Sequence, residues 1–148
     1  MDRAEQAAQL FLQGYNCAQA VAVAFSDLTG LSPELSAKMA SSFGGGMGRM
    51  REVCGAVSGM LLVTSLLYGY DQPENDQGKK ELYQLVQNLA EQFRQKNGSI
   101  ICRELLKNPP SDPNPSPRTA EYYRQRPCAA MVYTAAEILD TYIAGHPV

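Results

Sequence analysis

The chain has 148 residues, 45% of them hydrophobic and 19% charged, which supplies apolar material for one globular domain over residues 1–148 and excludes a disordered chain. A net charge of −2 and the lack of any basic run exclude the electrostatic footprint of a nucleic-acid binder or of a protein drawn to anionic membranes. The start Met1-Asp2-Arg3-Ala4-Glu5 shows no basic stretch, apolar run and cleavage site of a secretory leader, so the expected location is the cytoplasm, where thiols are kept reduced.

Asp2 followed by Glu5 marks a helix start, and apolar or small residues at helical spacing from Ala4 to Phe25 predict a long first helix ending near Gly30, with Cys17 mid-helix on its buried face. Ser32-Pro33 is an N-cap and first-turn pair that launches a second helix to about Phe43. Gly44-Gly45-Gly46-Met47-Gly48 then breaks the chain. A third helix is expected from Arg51 or Glu52 to Tyr68. It falls largely within an uncharged run of 18 residues, Val53 to Tyr70, that reads as a core helix because glycines, serines and a threonine interrupt it too often for a membrane span. On that helix Gly55 and Gly59, four apart, would admit the close approach of another backbone.

Leu82, Leu85, Val86, Leu89 and Phe93 form a narrow apolar stripe, predicting an outer amphipathic helix, and Ser99 precedes a short helix over Ile100 to Leu106. The five prolines between Asn108 and Pro117 forbid helix and predict a stiff extended connection at the surface. Pro127 opens the last helix, with Cys128, Val132, Ala135, Leu139 and Tyr142 on one face. The sum is an all-α, single-domain bundle of about five helices, with a Gly-rich turn, a Pro-rich loop and no internal repeat.

The four cysteines, Cys17, Cys54, Cys102 and Cys128, are separated by 37, 48 and 26 residues, so any common site must be made by the fold. Cys54, Cys102 and Cys128 each fall in the first turn of a predicted helix. Unpaired N–H groups and the positive end of the dipole favour an anion there, so these three should be more thiolate-like than Cys17. Arg51, Arg103 and Arg126 lie within three residues of them. Plain burial of cysteine as a small hydrophobe explains each position taken alone. The glycines Gly44, Gly45 and Gly46 are candidate cofactor contacts through successive N–H groups, or simply a tight turn. Tyr122, Tyr123 and Tyr133 suit a pocket wall or core packing equally. The only histidine, His146, lies by the C-terminus and offers no catalytic arrangement.

Gly44-Gly45-Gly46-Met47-Gly48 and then Cys54-Gly55-Ala56-Val57-Ser58-Gly59, with one cysteine upstream and two downstream, resembles the C_GCAxxG_C_C family of redox-active proteins. The likeness covers nearly the whole chain, and all four cysteines have a counterpart. It implies a redox role resting on those cysteines, and an association with a transporter, because members are often encoded near transporter genes. It brings no substrate and no reaction.

Two chemistries follow. In the favoured one Cys17, Cys54, Cys102 and Cys128 converge on a metal or iron–sulfur centre for electron transfer, four ligands being more than a disulfide switch needs. The absence of any Cys-x-x-Cys pair speaks against a zinc knuckle and removes the local signature of bacterial ferredoxins. In the other, two cysteines form a reversible disulfide and a low-pKa thiolate attacks an unidentified redox partner protein, Cys54 and Cys128 being the reactive candidates and Cys17 or Cys102 resolving. A third class is a helical interaction module serving a membrane transporter, whose cysteines only pack.

Overall fold

A computed structural model describes residues 1–148. Asp2 caps the first helix, α1 (Arg3–Leu12), by accepting from the Glu5 N–H at 2.8 Å. The helix stops there, and Gly14 turns the chain at φ +111°. Asn16 then starts α2 (Cys17–Ala24) with a capping box. Its side chain accepts from the Gln19 N–H at 2.9 Å while the Gln19 side-chain oxygen accepts from the Asn16 N–H at 3.0 Å. The expected single helix to Gly30 is therefore three, the last being the one-turn α3 (Ser26–Thr29).

Ser32 caps α4 (Pro33–Ala40) as its sequence predicts, and a 3-10 turn over Ser41–Phe43 follows. Next comes left-handed backbone. Gly45, Gly46, Met47, Gly48, Arg49 and Arg51 all have φ between +59° and +70°. The Arg51 N–H reaches the Gly45 carbonyl at 3.2 Å and the Glu52 N–H reaches that of Gly46 at 2.9 Å. Non-glycine residues in this region cost roughly 1–2 kcal/mol each, so tertiary bonds must hold Met47, Arg49 and Arg51 there.

The core helix α5 runs over Gly55–Tyr68, starting later than expected. The outer helix α6 (Asp76–Asn97) buries only Leu89 and Phe93, in keeping with its narrow stripe. Two short helices, α7 (Cys102–Leu105) and α8 (Ala120–Gln125), flank the extended Pro-rich stretch, and α9 (Cys128–Gly145) closes the chain. The fold is all-α; nine helices replace the expected five or so, because a glycine turn splits the first and three of the nine are little more than single turns. No strand forms, and Val53 and Ile101 make an isolated antiparallel bridge.

Helix α2 lies against α1, α4 and α5, while α9 lies against α1, α2, α5 and α6. Phe11, Phe25, Met60, Leu89, Phe93, Val132 and Leu139 are fully enclosed between them. No helix is long and apolar enough to cross a membrane.

Candidate functional site

Each of the four cysteines stands at the beginning of a helix. The capping box makes Cys17 the first residue of α2, Cys54 is the N-cap of α5, and Cys102 and Cys128 open α7 and α9. This corrects the mid-helix position expected for Cys17. All four line one cavity of about 50 Å³, although 37, 48 and 26 residues separate them along the chain. At about 10–15 Å³ per water, the space admits three to five water-sized groups.

The sequence motif explains how they meet. A Cβ on Gly55 would stand 3.1 Å from the Cys17 Cβ, and one on Gly59 would stand 2.6 Å from the Ala18 carbonyl oxygen. Glycine at both positions lets α2 and α5 touch backbone to backbone, which brings Cys17 beside Cys54. The Val53–Ile101 bridge does the same for Cys102. The Cys54 N–H donates to the Ile100 carbonyl at 2.7 Å and the Cys102 N–H to that of Glu52 at 2.6 Å, so both cysteines belong to one face of the bridge. Of the three glycines proposed as cofactor contacts, Gly45 and Gly46 line this cavity, and Gly44 lines only a larger one outside it.

The thiols are free, and their electrostatics differ. Hydrogen bonding with Cys17 lowers Cys128 to about 7 against the pull of burial, with help from the Arg126, Arg118 and Arg51 guanidinium groups. Cys17 moves the opposite way, well above its usual range, because it shares its proton with Cys128 and is buried. Burial pushes Cys54 up to about 12, although the Ala56 and Val57 N–H groups at the helix start favour its thiolate. Cys128 therefore behaves as expected of a helix-start cysteine beside Cys17, whereas Cys54 moves up as Cys17 does and gains no net lowering from its helix start. Desolvation outweighs two N–H groups there.

Arg51 is the second surprise. Its side chain is buried at the cavity wall, where Nη1 donates to the Cys102 Sγ at 3.7 Å and Nε to the Pro110 carbonyl at 2.9 Å, while Nη2 has no partner. Leaving such a group unsatisfied costs about 1–3 kcal/mol, and more when it is charged. Arg118, Arg126, Tyr122 and Met131 also line the cavity. Arg126 was within view in the sequence as the neighbour of Cys128, but Arg118 gave no signal. Arg103 does not join them; it turns outward to pair with Glu52 at 2.5 Å.

With the side chains as they stand, no group of three Cys, His, Asp or Glu residues is placed to hold a metal ion. The sequence profile of the family described as "Putative redox-active protein (C_GCAxxG_C_C)" matches residues 15–142, which takes in all four cysteines. The chain belongs to this family. No curated protein and no solved structure matches it. In this C_GCAxxG_C_C protein, alkylation of Cys128 by a neutral reagent should rise about tenfold between pH 6 and pH 8. The thiolate is the nucleophile, and its fraction climbs through a midpoint near 7. Cys54 should stay essentially unlabelled over the same range, as its midpoint near 12 requires. Residue-resolved mass spectrometry checks both.

Proposed function

We propose that this protein performs thiol–disulfide redox chemistry, with Cys128 as the attacking thiolate and Cys17 as the resolving thiol. The observation that carries this reading is the asymmetric pair itself: one thiol lowered to about 7 beside its partner and three guanidinium groups, the other raised and holding the proton. Low-pKa thiolates in electropositive, enclosed surroundings are the reactive ones.

The Cys128 thiolate attacks one sulfur of a partner's disulfide, forming a mixed disulfide and releasing the other sulfur as a thiolate. Cys17 then gives up its proton to that departing thiolate and attacks the Cys128 sulfur. The second partner thiol leaves, taking a proton from water. Two electrons have passed from Cys17 and Cys128 to the partner, and a Cys17–Cys128 disulfide remains. Cys54, protonated at neutral pH, is no nucleophile here. Of the two reactive candidates in the sequence this reading keeps Cys128 alone, and of the two resolving candidates it takes Cys17.

A glutathione redox buffer followed by peptide mapping tests the reading. The expected product is a single Cys17–Cys128 link, reversed by dithiothreitol. No link, or a link between Cys54 and Cys102 alone, would overturn it.

A thiolate-bound metal or iron–sulfur centre for electron transfer is the second reading. It is supported by four thiols at four helix starts around one cavity, a donor set whose negative charge the helix ends and arginines would offset. It takes second place because no three sulfurs are grouped as metal ligands. Anaerobic purification with metal analysis and a visible spectrum decides between the two.

A further inference from the structure

A second cavity of about 290 Å³ lies directly outside the cysteines and shares Asn16, Gly45, Arg51, Arg118, Tyr122 and Arg126 with the inner one. Arg49 also lines it, and no acidic side chain lines either cavity. The Pro-rich stretch forms its outer wall, with Pro113, Pro115 and Ser116 facing the space.

Arg49 has its counter-charge, since Asp112 faces it at 3.9 Å and its Nε and Nη1 donate to the Asp112 carbonyl and the Ser116 hydroxyl. The other three have none. Arg118 donates to the carbonyl oxygens of Phe11 and Tyr15 at 3.2 and 3.1 Å and stacks over the Phe11 and Tyr122 rings. Arg126 also lies over the Tyr122 ring, 4.9 Å from its centre, with no ion pair and no side-chain hydrogen bond. Arg51 is only 3% exposed and carries the unpartnered Nη2. Carbonyls and aromatic faces orient these guanidinium groups without neutralising them. Even an ionised Cys128 would offset only one of three positive charges, in a chain whose net charge is −2.

From this geometry we infer that the outer cavity is a binding site for a small oxyanion, a carboxylate, phosphate or sulfonate group, held by Arg51, Arg118 and Arg126 at the entrance to the cysteines. Its function would be to seat the charged end of a low-molecular-weight anionic disulfide so that the disulfide reaches Cys128. That assignment of the substrate rests on the thiol-redox reading; the anion site does not. The planar guanidinium fork suits an oxyanion, and Arg51, Arg118 and Arg126 bring three such groups without a carboxylate partner to the wall of this cavity.

Two measurements on the full chain test it. In the first, Cys128 is alkylated at low salt by anionic iodoacetate and by neutral iodoacetamide. The ratio of the two rates should exceed that of a free small thiol by about tenfold, and it should fall back when sulfate is added or in Arg126→Gln. A ratio equal to the free thiol's, insensitive to both changes, overturns the proposal. In the second, sulfate binding is followed by calorimetry, which does not depend on any thiol. Binding that weakens at least tenfold in Arg126→Gln supports the site even if Cys128 reacts with neither reagent, a result that would remove the redox reading alone. No sulfate binding, or binding unchanged in Arg126→Gln, overturns the site whatever Cys128 does. The Arg126 side chain makes no hydrogen bond, and the backbone N–H that donates to the Tyr122 carbonyl at 3.1 Å is kept in Arg126→Gln, so the replacement leaves the fold's hydrogen bonds intact.

Discussion

Cys128→Ser and Cys17→Ser should each abolish the reversible disulfide completely, whereas Cys54→Ser and Cys102→Ser should leave it in place. The first removes the nucleophile and the second the thiol that resolves the mixed disulfide. The mixed species should therefore accumulate on Cys128 in Cys17→Ser, where non-reducing mass spectrometry will find it. Cys17→Ser should also slow alkylation of Cys128 at pH 7 by several-fold to about tenfold, because the partner that does most to lower its pKa is gone while the arginines remain. A four-thiolate metal centre predicts another pattern, in which all four substitutions bleach the spectrum and release metal, since no ligand is spare. If the cysteines only pack, four folded variants with neither metal nor reversible oxidation result, and both redox readings fall.

Much of this architecture can be read from the amino acids. Asp2, Ser32-Pro33 and the narrow stripe from Leu82 to Phe93 announce their helices because caps and periodicity act locally. The break before Cys17 was also legible in principle. Asn16 with Gln19 is a capping box, but the alanines and other apolar residues on either side hide it by keeping a helical pattern through the gap. What no local pattern holds is the arginine cluster. Arg118 reaches the site only because the chain after the Pro-rich stretch returns across the end of α1, donating to carbonyls more than 100 residues earlier in sequence. The Pro-rich stretch itself looked like a surface connection. Its extended backbone leaves carbonyls free, and two of them, on Pro110 and Asp112, receive the Nε groups of Arg51 and Arg49. The Cys54 thiol shows the same limit in electrostatics, for a helix start is visible in the sequence and the depth of burial that overrides it is not.

Gly46→Ala should lower the melting temperature by about 5–15 °C. Gly46 is buried with φ +70° and ψ 55°, a conformation that costs an L-residue roughly 1–2 kcal/mol. Its new Cβ would also fall 2.7 Å from the Cys102 Cβ and 2.8 Å from both the Arg51 Cα and the Glu52 nitrogen. These are main-chain or first side-chain atoms, so no flexible group can swing away, and overpacking of this kind typically costs about 1–3 kcal/mol more. Together the two effects reach about 2–5 kcal/mol, at about 2–4 °C for each in a chain of this size. Gly98→Ala is the control: it sits at φ +92° with nothing within 4 Å of its Cβ and should show the backbone cost alone. Because the displaced atoms belong to Cys102 and Arg51, Gly46→Ala should also weaken sulfate binding in the outer cavity, which Gly98→Ala should not touch. Equal melting temperatures for the two variants would mean that the left-handed turn does not press against the cysteine cavity as the structure places it.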